Sequence, residues 1–232
     1  MKTIISDKND LNIQAARKIK ATLDKKPDAV LAFAAGRSMT GLFTLLGEKC
    51  AVGELSFKKA SIFTVTELVG VSENQRQRAQ IYSDLISGID IEPENVHFLT
   101  EDAADTYDAA IEAAGGLDLA VLGLGHNGHF GYNEPGTQFD TYTHLQTLAP
   151  ATRRQLAETF GGEDKTPEKA LTMGIKTITN ARDIMVLALG EDKSAATFEM
   201  LYARNDSVIP AAFLQIPLNV TVYADDAAAS RL

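Results

Sequence analysis

The sequence has little with which to cross-link itself. Its 232 residues include a single cysteine, Cys50. One cysteine rules out an intrachain disulfide and points to a reducing compartment. Cys50 ends a helical-looking stretch with no histidine near it, which favours a buried thiol over a nucleophile. Positive charge is also scarce. Lys and Arg number 22 against 31 Asp and Glu, a formal net charge of -9. Nucleic-acid surfaces rest on positive patches, so no nucleic-acid partner is expected. A local basic pocket for a small phosphate is still allowed. Long apolar runs are missing as well. The N-terminus MKTIISDKND holds no run of signal-peptide length, and no window approaches a membrane span. The expectation is a cytoplasmic protein with no membrane partner.

What is present is an ordinary globular composition, 45% hydrophobic and 23% charged. Leu11, Ala15, Ile19 and Leu23 recur at helical spacing, which predicts a helix over 10–24. AVLAFAA (29–35) reads as a strand buried on both faces, and helical spacing resumes through Leu42, Leu45 and Leu46. The unit repeats. SIFTVTEL (61–68) reads as one strand, QIYSDLISGI (80–89) as a helix and VHFLT as a short strand. An alanine-rich helix is expected over 102–114. LDLAVLGL (117–124), DIMVLALG (183–190) and NVTVYAD (219–225) read as further strands, with a helix over about 192–204. Alternating strands and helices argue for one α/β domain over 1–232, an open, mostly parallel sheet with helices on both faces. Residues 137–170 are polar and less regular, and read as a flap or insertion. Ligands in such sheets bind beyond the carboxyl ends of the strands. That directs attention to 35–40, 65–70, 123–136 and 190–194.

The stretch GLGHNGHFGYNEPG (123–136) begins as G-x-G-x-x-G, a dinucleotide fingerprint. The fingerprint needs a helix directly afterwards. Gly131, Asn133, Pro135 and Gly136 break that continuation, and no strand ending in Asp or Glu follows at the right distance. The loop reads better as a catalytic one. His126, His129 and His144 fall in or near it, and histidine suits proton transfer at neutral pH. Glu134 lies close enough in a loop to hold the His129 imidazole in one tautomer. The two nearer histidines could ligate a metal, but no third ligand has a recognisable spacing, so none is expected. Two strand-to-helix turns could hold an anion through free amides and a helix dipole. One is Gly36-Arg37-Ser38. The other is Gly190-Glu191-Asp192-Lys193-Ser194, where Lys193 could reach a phosphate.

These residues resemble the glucosamine-6-phosphate deaminase/6-phosphogluconolactonase family. LDLAVLGLGHNGHFGYNEPG is similar to the deaminase signature G-x-G-x-D-G-H-[hydrophobic]-[AG]-[FL]-N-E-P. Lys193 matches a phosphate-binding lysine of that family, and AAGRSMTGL matches its phosphate loop loosely, with Ser38 where a threonine is usual. The lactonase branch shares Gly-His but typically lacks Asn-Glu-Pro, so Glu134 marks the deaminase branch. The resemblance implies a three-layer, Rossmann-like sandwich. It implies an aldose-ketose isomerisation coupled to loss of ammonia, with a sugar phosphate as partner, no cofactor, and possible homo-oligomers. His129 would assist ring opening, and Glu134 would orient or charge it.

Two positions depart from the pattern. The family's proton-abstracting aspartate, in F-x-x-D-E, falls at Thr66, and Thr66 is no general base at neutral pH. Glu67 is adjacent, but strand neighbours face opposite sides, so its use needs a bend or bulge. The second aspartate falls at Asn127, which can orient but not accept a proton. The Asn-Gly-His form resembles the branch assigned to galactosamine 6-phosphate, favouring that sugar over its gluco epimer. The family's phosphate-binding flap arginine has no clear counterpart, although Arg153 and Arg154 lie nearby. Two alternatives stay open. One is a sugar-phosphate-binding protein of this fold with impaired catalysis. The other is a lactonase-like hydrolase.

Overall fold

The computed structural model describes residues 1–232. Seven strands form an all-parallel central sheet. In chain order they are β1 (Lys2–Ile5), β2 (Val30–Phe33), β3 (Ser61–Thr64), β5 (Val96–His97), β6 (Leu119–Gly123), β9 (Asp183–Ala188) and β10 (Val220–Ala224). Their spatial order is β1-β10-β9-β6-β2-β3-β5. The core divides by strand parity. Val30, Ala32, Ala120, Leu122, Ile184 and Val186 pack on one face of the sheet. Leu31, Phe33, Leu119, Val121, Met185 and Leu187 pack on the other. With both faces apolar, the strands read as continuous hydrophobic runs.

Helices α1 (Lys8–Lys25), α2 (Thr40–Ala51) and α3 (Gln77–Asp84) cover the second face through Leu11, Ile19, Leu42 and Ile81. Asp7 caps α1, accepting from the amides of Asn9 and Asp10 at 2.9 and 3.0 Å. Helices α4 (Tyr107–Ala113), α6 (Ile175–Thr179) and α7 (Ser194–Tyr202) cover the first face through Ile111, Ile178 and Met200. The alanine-rich helix is shorter than its composition suggests: its first residues form a turn and a 3-10 segment. The helix expected over 80–89 starts at Gln77 and gives way to a 3-10 turn at Ile86–Gly88.

The stretch 61–68 is not one strand. After β3, Val65 carries the chain out of the central sheet, and β4 (Thr66–Val69) joins a separate antiparallel sheet, beside β8 (Lys169–Thr172), which in turn pairs with β7 (His144–Thr147). Val65 belongs to both neighbourhoods: its amide donates to Phe33 at 3.0 Å and its carbonyl accepts from Met173 at 2.8 Å. The region 137–170 is correspondingly more regular than its polar sequence suggests. It contains β7 (His144–Thr147), α5 (Pro150–Phe160) and the approach to β8 (Lys169–Thr172). A small core of Leu68, Tyr132, Leu148, Phe160 and Ala170 holds it down.

From β2 the chain steps outward through β3 to β5. It then returns to lay β6 on the opposite side of β2. The loops after β2 and β6 therefore diverge, opening a crevice at the carboxyl ends. No helix is long and apolar enough to cross a membrane.

Candidate active site

A cavity of about 810 Å³ fills this crevice, within the range of small-molecule sites. The loop after β2 contributes Gly36, Arg37 and Ser38, and the loop after β9 contributes Lys193. His129 comes from the loop after β6, and Thr66 from the start of β4.

The half that carries the expected anion loops is built by two strand-to-helix turns. Gly36 has φ +136°, a conformation that L side chains rarely adopt. It turns the chain so that Arg37–Met39 lead directly into α2. The free amides and dipole of that helix end favour negative charge. Lys193 is buried, and its Nζ lies 2.8 Å from Asp192 Oδ2. Asp225 anchors the turn by accepting from the Gly190 amide at 2.9 Å.

The other half centres on His129. Its imidazole lies flat on the Cα of Gly125, where any Cβ would collide with the ring. Nδ1 sits 2.7 Å from Asn127 Oδ1, 3.4 Å from Thr152 Oγ1 and 3.5 Å from Glu134 Oε2. Asn127 Nδ2 donates to the same Glu134 oxygen at 2.8 Å. Burial would raise the Glu134 pKa, but bonds to His129, Thr152 and Asn127 outweigh it and bring it to about 2. Ionised, Glu134 only accepts hydrogen bonds, so the amide nitrogen of Asn127 must face it. The amide oxygen then faces His129, and Nδ1 must carry the ring proton. Nε2 is the remaining nitrogen, and no protein group bonds it.

Thr66 and Glu67 separate as strand alternation requires. β4 pairs regularly with β8, Thr66 opposite Thr172 and Glu67 opposite Leu171. Thr66 lines the cavity. Glu67 does not. Its buried carboxylate accepts from the amides of Leu68, Gln77 and Arg78 at 2.8, 2.9 and 3.2 Å. Burial pushes its pKa up against those three bonds. No bend or bulge brings it round, and it secures the start of α3 instead.

The remaining sequence candidates divide. His126 points to Gln155, 3.0 Å away, and lines an adjoining recess with Arg37, Arg154 and Asp192. His144 bonds Tyr142 and Gln146 instead of entering the cavity. Arg153 turns away to donate to the Glu163 carbonyl at 3.1 Å. Cys50 is half-buried, and burial raises its thiol to about 11. Sequence reasoning missed Arg76 and Gln77, which line the cavity from α3 and the turn before it. Nothing in the polar run SENQRQR distinguishes them. It also missed Thr152. Tyr132 lies inside the glycine-rich loop and could have been flagged by its place there.

A family model for glucosamine-6-phosphate isomerases/6-phosphogluconolactonases matches residues 7–222. The chain belongs to this family. Among its relatives, a glucosamine-6-phosphate deaminase of Mycolicibacterium smegmatis is 37% identical, across 99% of this chain and 91% of that protein. One from Bacillus velezensis is 36% identical across 95% of each. The solved structure of a monomeric glucosamine-6-phosphate deaminase superposes with a TM-score of 0.95 at 33% identity, covering 99% of both chains. A 6-phosphogluconolactonase from Leishmania guyanensis shares the fold, with a TM-score of 0.76 at 18% identity. It covers 100% of this chain and 98% of its own.

Proposed function

We propose that this family member is an amino-sugar 6-phosphate deaminase/isomerase. It converts a 2-amino-2-deoxyhexose 6-phosphate and water to a ketohexose 6-phosphate and ammonia. The observation that carries the reading is the Asn127–His129–Glu134 cluster opening onto a cavity whose other wall is an anion site. Gly36, Arg37, Ser38 and Lys193 hold the phosphate. Arg154 approaches that site from the adjoining recess, which it shares with Arg37, and supplies the flap arginine. At the sugar ring, His129 moves a proton at the ring oxygen, and Glu134 stabilises the charge this places on the imidazole. No cofactor or metal ion enters this chemistry.

Glucosamine 6-phosphate is the first substrate to test, because relatives 36–37% identical over nearly the whole chain carry that name. The Asn127-Gly128-His129 sequence supports galactosamine 6-phosphate as a second. Ammonia release measured with both sugars tests the reading, and background rates with both overturn it. Hydrolysis of 6-phosphogluconolactone that survives Glu134→Gln would instead favour lactonase chemistry. Thr66 supports a further reading, a binding protein with lost turnover. A large gain of activity in Thr66→Asp is what that reading requires.

A further inference from the structure

We infer that His129 is the single proton carrier of the cavity, serving both the ring oxygen and the transfer from C2 to C1. The inference rests on the amino-sugar-phosphate reading and deepens it. It begins from the ionisable side chains on the cavity wall. Arg37 and Arg76 are permanent cations and accept no proton. Lys193 and Asp192 are paired with each other at 2.8 Å. The Tyr132 hydroxyl accepts from Gln77 Nε2 at 2.9 Å, and burial holds its pKa far above neutrality. Glu158 sits exposed on the rim, shared with the adjoining recess. Thr66 occupies the β4 position and is not a base. Glu67 turns away to the start of α3.

His129 is what remains, and its geometry suits both steps. Glu134 and Asn127 hold Nδ1, and Thr152 closes the same side. The rings of His126 and Tyr132 stand 6.5 and 6.0 Å away, and the carboxylate beside the imidazole is Glu134, 3.5 Å from Nδ1. Nε2 is left without a protein partner. In the open-chain aldehyde, Nε2 takes the C2 proton. The C2–H electron pair becomes the C1=C2 bond, and the carbonyl pair moves to O1, which takes a proton from water. The imidazolium returns its proton to C1 while the nitrogen lone pair forms C2=N. The hydroxide left by that water adds to the iminium carbon, and the hydroxyl proton of the resulting carbinolamine passes to nitrogen as ammonia departs, leaving the ketose. Asn127 is a positioning residue here. A neutral bridge keeps the Nδ1 proton in place and Nε2 free for two successive transfers.

The test removes ring opening from the measurement. A ketohexose 6-phosphate lacking the 5-hydroxyl cannot close its ring, so exchange of its C1 protons in D2O containing ammonium, which supplies the nitrogen of the C2 iminium, followed by NMR, reports the carbon proton transfer alone. The full-length enzyme exchanges these protons. His129→Gln reduces exchange at least about 100-fold, and Thr66→Val leaves it within threefold. Exchange by His129→Gln near the native rate overturns the inference while leaving the deaminase reading intact. Should His129→Gln fail to fold, Thr66→Val still decides: loss of exchange there places residue 66 in the transfer and overturns the inference. Absence of both exchange and ammonia release in the native protein overturns the functional reading as well.

Discussion

The two walls of the cavity are built differently. The anion wall hangs on the ends of β2 and β9, strands buried in the middle of the central sheet. Its parts are backbone amides, a glycine turn and one buried lysine. The opposite wall rests on the small antiparallel sheet and α5, with Thr66, Thr152 and Tyr132. The two replaced aspartates of the family pattern, at Thr66 and Asn127, both fall on this second side of the cavity. On the proposed reading a phosphate is held the same way whatever happens at C2, so the anion wall has little to vary. On the same reading the opposite wall answers to the reaction itself, and Asn127 there sets which imidazole nitrogen carries a proton.

The contrast can be broken one wall at a time. The largest effect belongs to the anion wall. Lys193→Met removes a charged, buried donor and raises KM about 10- to 100-fold with a smaller change in kcat, read by steady-state kinetics. A result confined to kcat would move Lys193 to the other wall. Next comes Gly125→Ala, whose Cβ collides with the His129 ring. Overpacking there costs about 2 kcal/mol and lowers Tm by about 4–8 °C. Because the ring must shift, kcat falls while phosphate affinity stays near native. Third is Glu134→Gln. The folded pKa of about 2 lies below the ordinary 4.5, so ionised Glu134 contributes stability that is fully present above pH 4.5 and lost as pH falls toward 2. The variant loses on the order of 2 kcal/mol above about pH 5, and the gap to native protein closes as pH falls. Urea unfolding at several pH values measures it, and a pH-independent gap would contradict the depressed pKa. The smallest effect separates two neighbours. Arg154→Ala raises KM severalfold without changing Tm. Arg153→Ala lowers Tm by a few degrees without changing KM, because its guanidinium is tied to the backbone at Glu163.

Legibility in the sequence follows the same division. Strands β2, β6 and β9 stand out because burial on two faces leaves an unbroken apolar run. The loops at their ends were found by the rule that ligands bind beyond the carboxyl ends. The edge strand β1 escapes notice: it is four residues long and pairs only with β10. The split at Val65 is invisible for a different reason. SIFTVTEL is equally suited to either sheet, and only its two sets of partners divide it.

By itself, the sequence determined the α/β class, the crevice loops, and the candidates His129, Glu134, Gly36, Arg37, Ser38 and Lys193, all of them positions where local pattern and residue chemistry coincide. Tertiary structure alone decided which of Thr66 and Glu67 meets the cavity, because a strand shows alternate residues to opposite faces and only pairing sets which face is which. It also decided that Asn127 stands between His129 and Glu134, and so which imidazole nitrogen is free. That depends on distances of 2.7 and 2.8 Å across a loop, and hydrogen bonds of that kind leave no periodic signal in a linear chain.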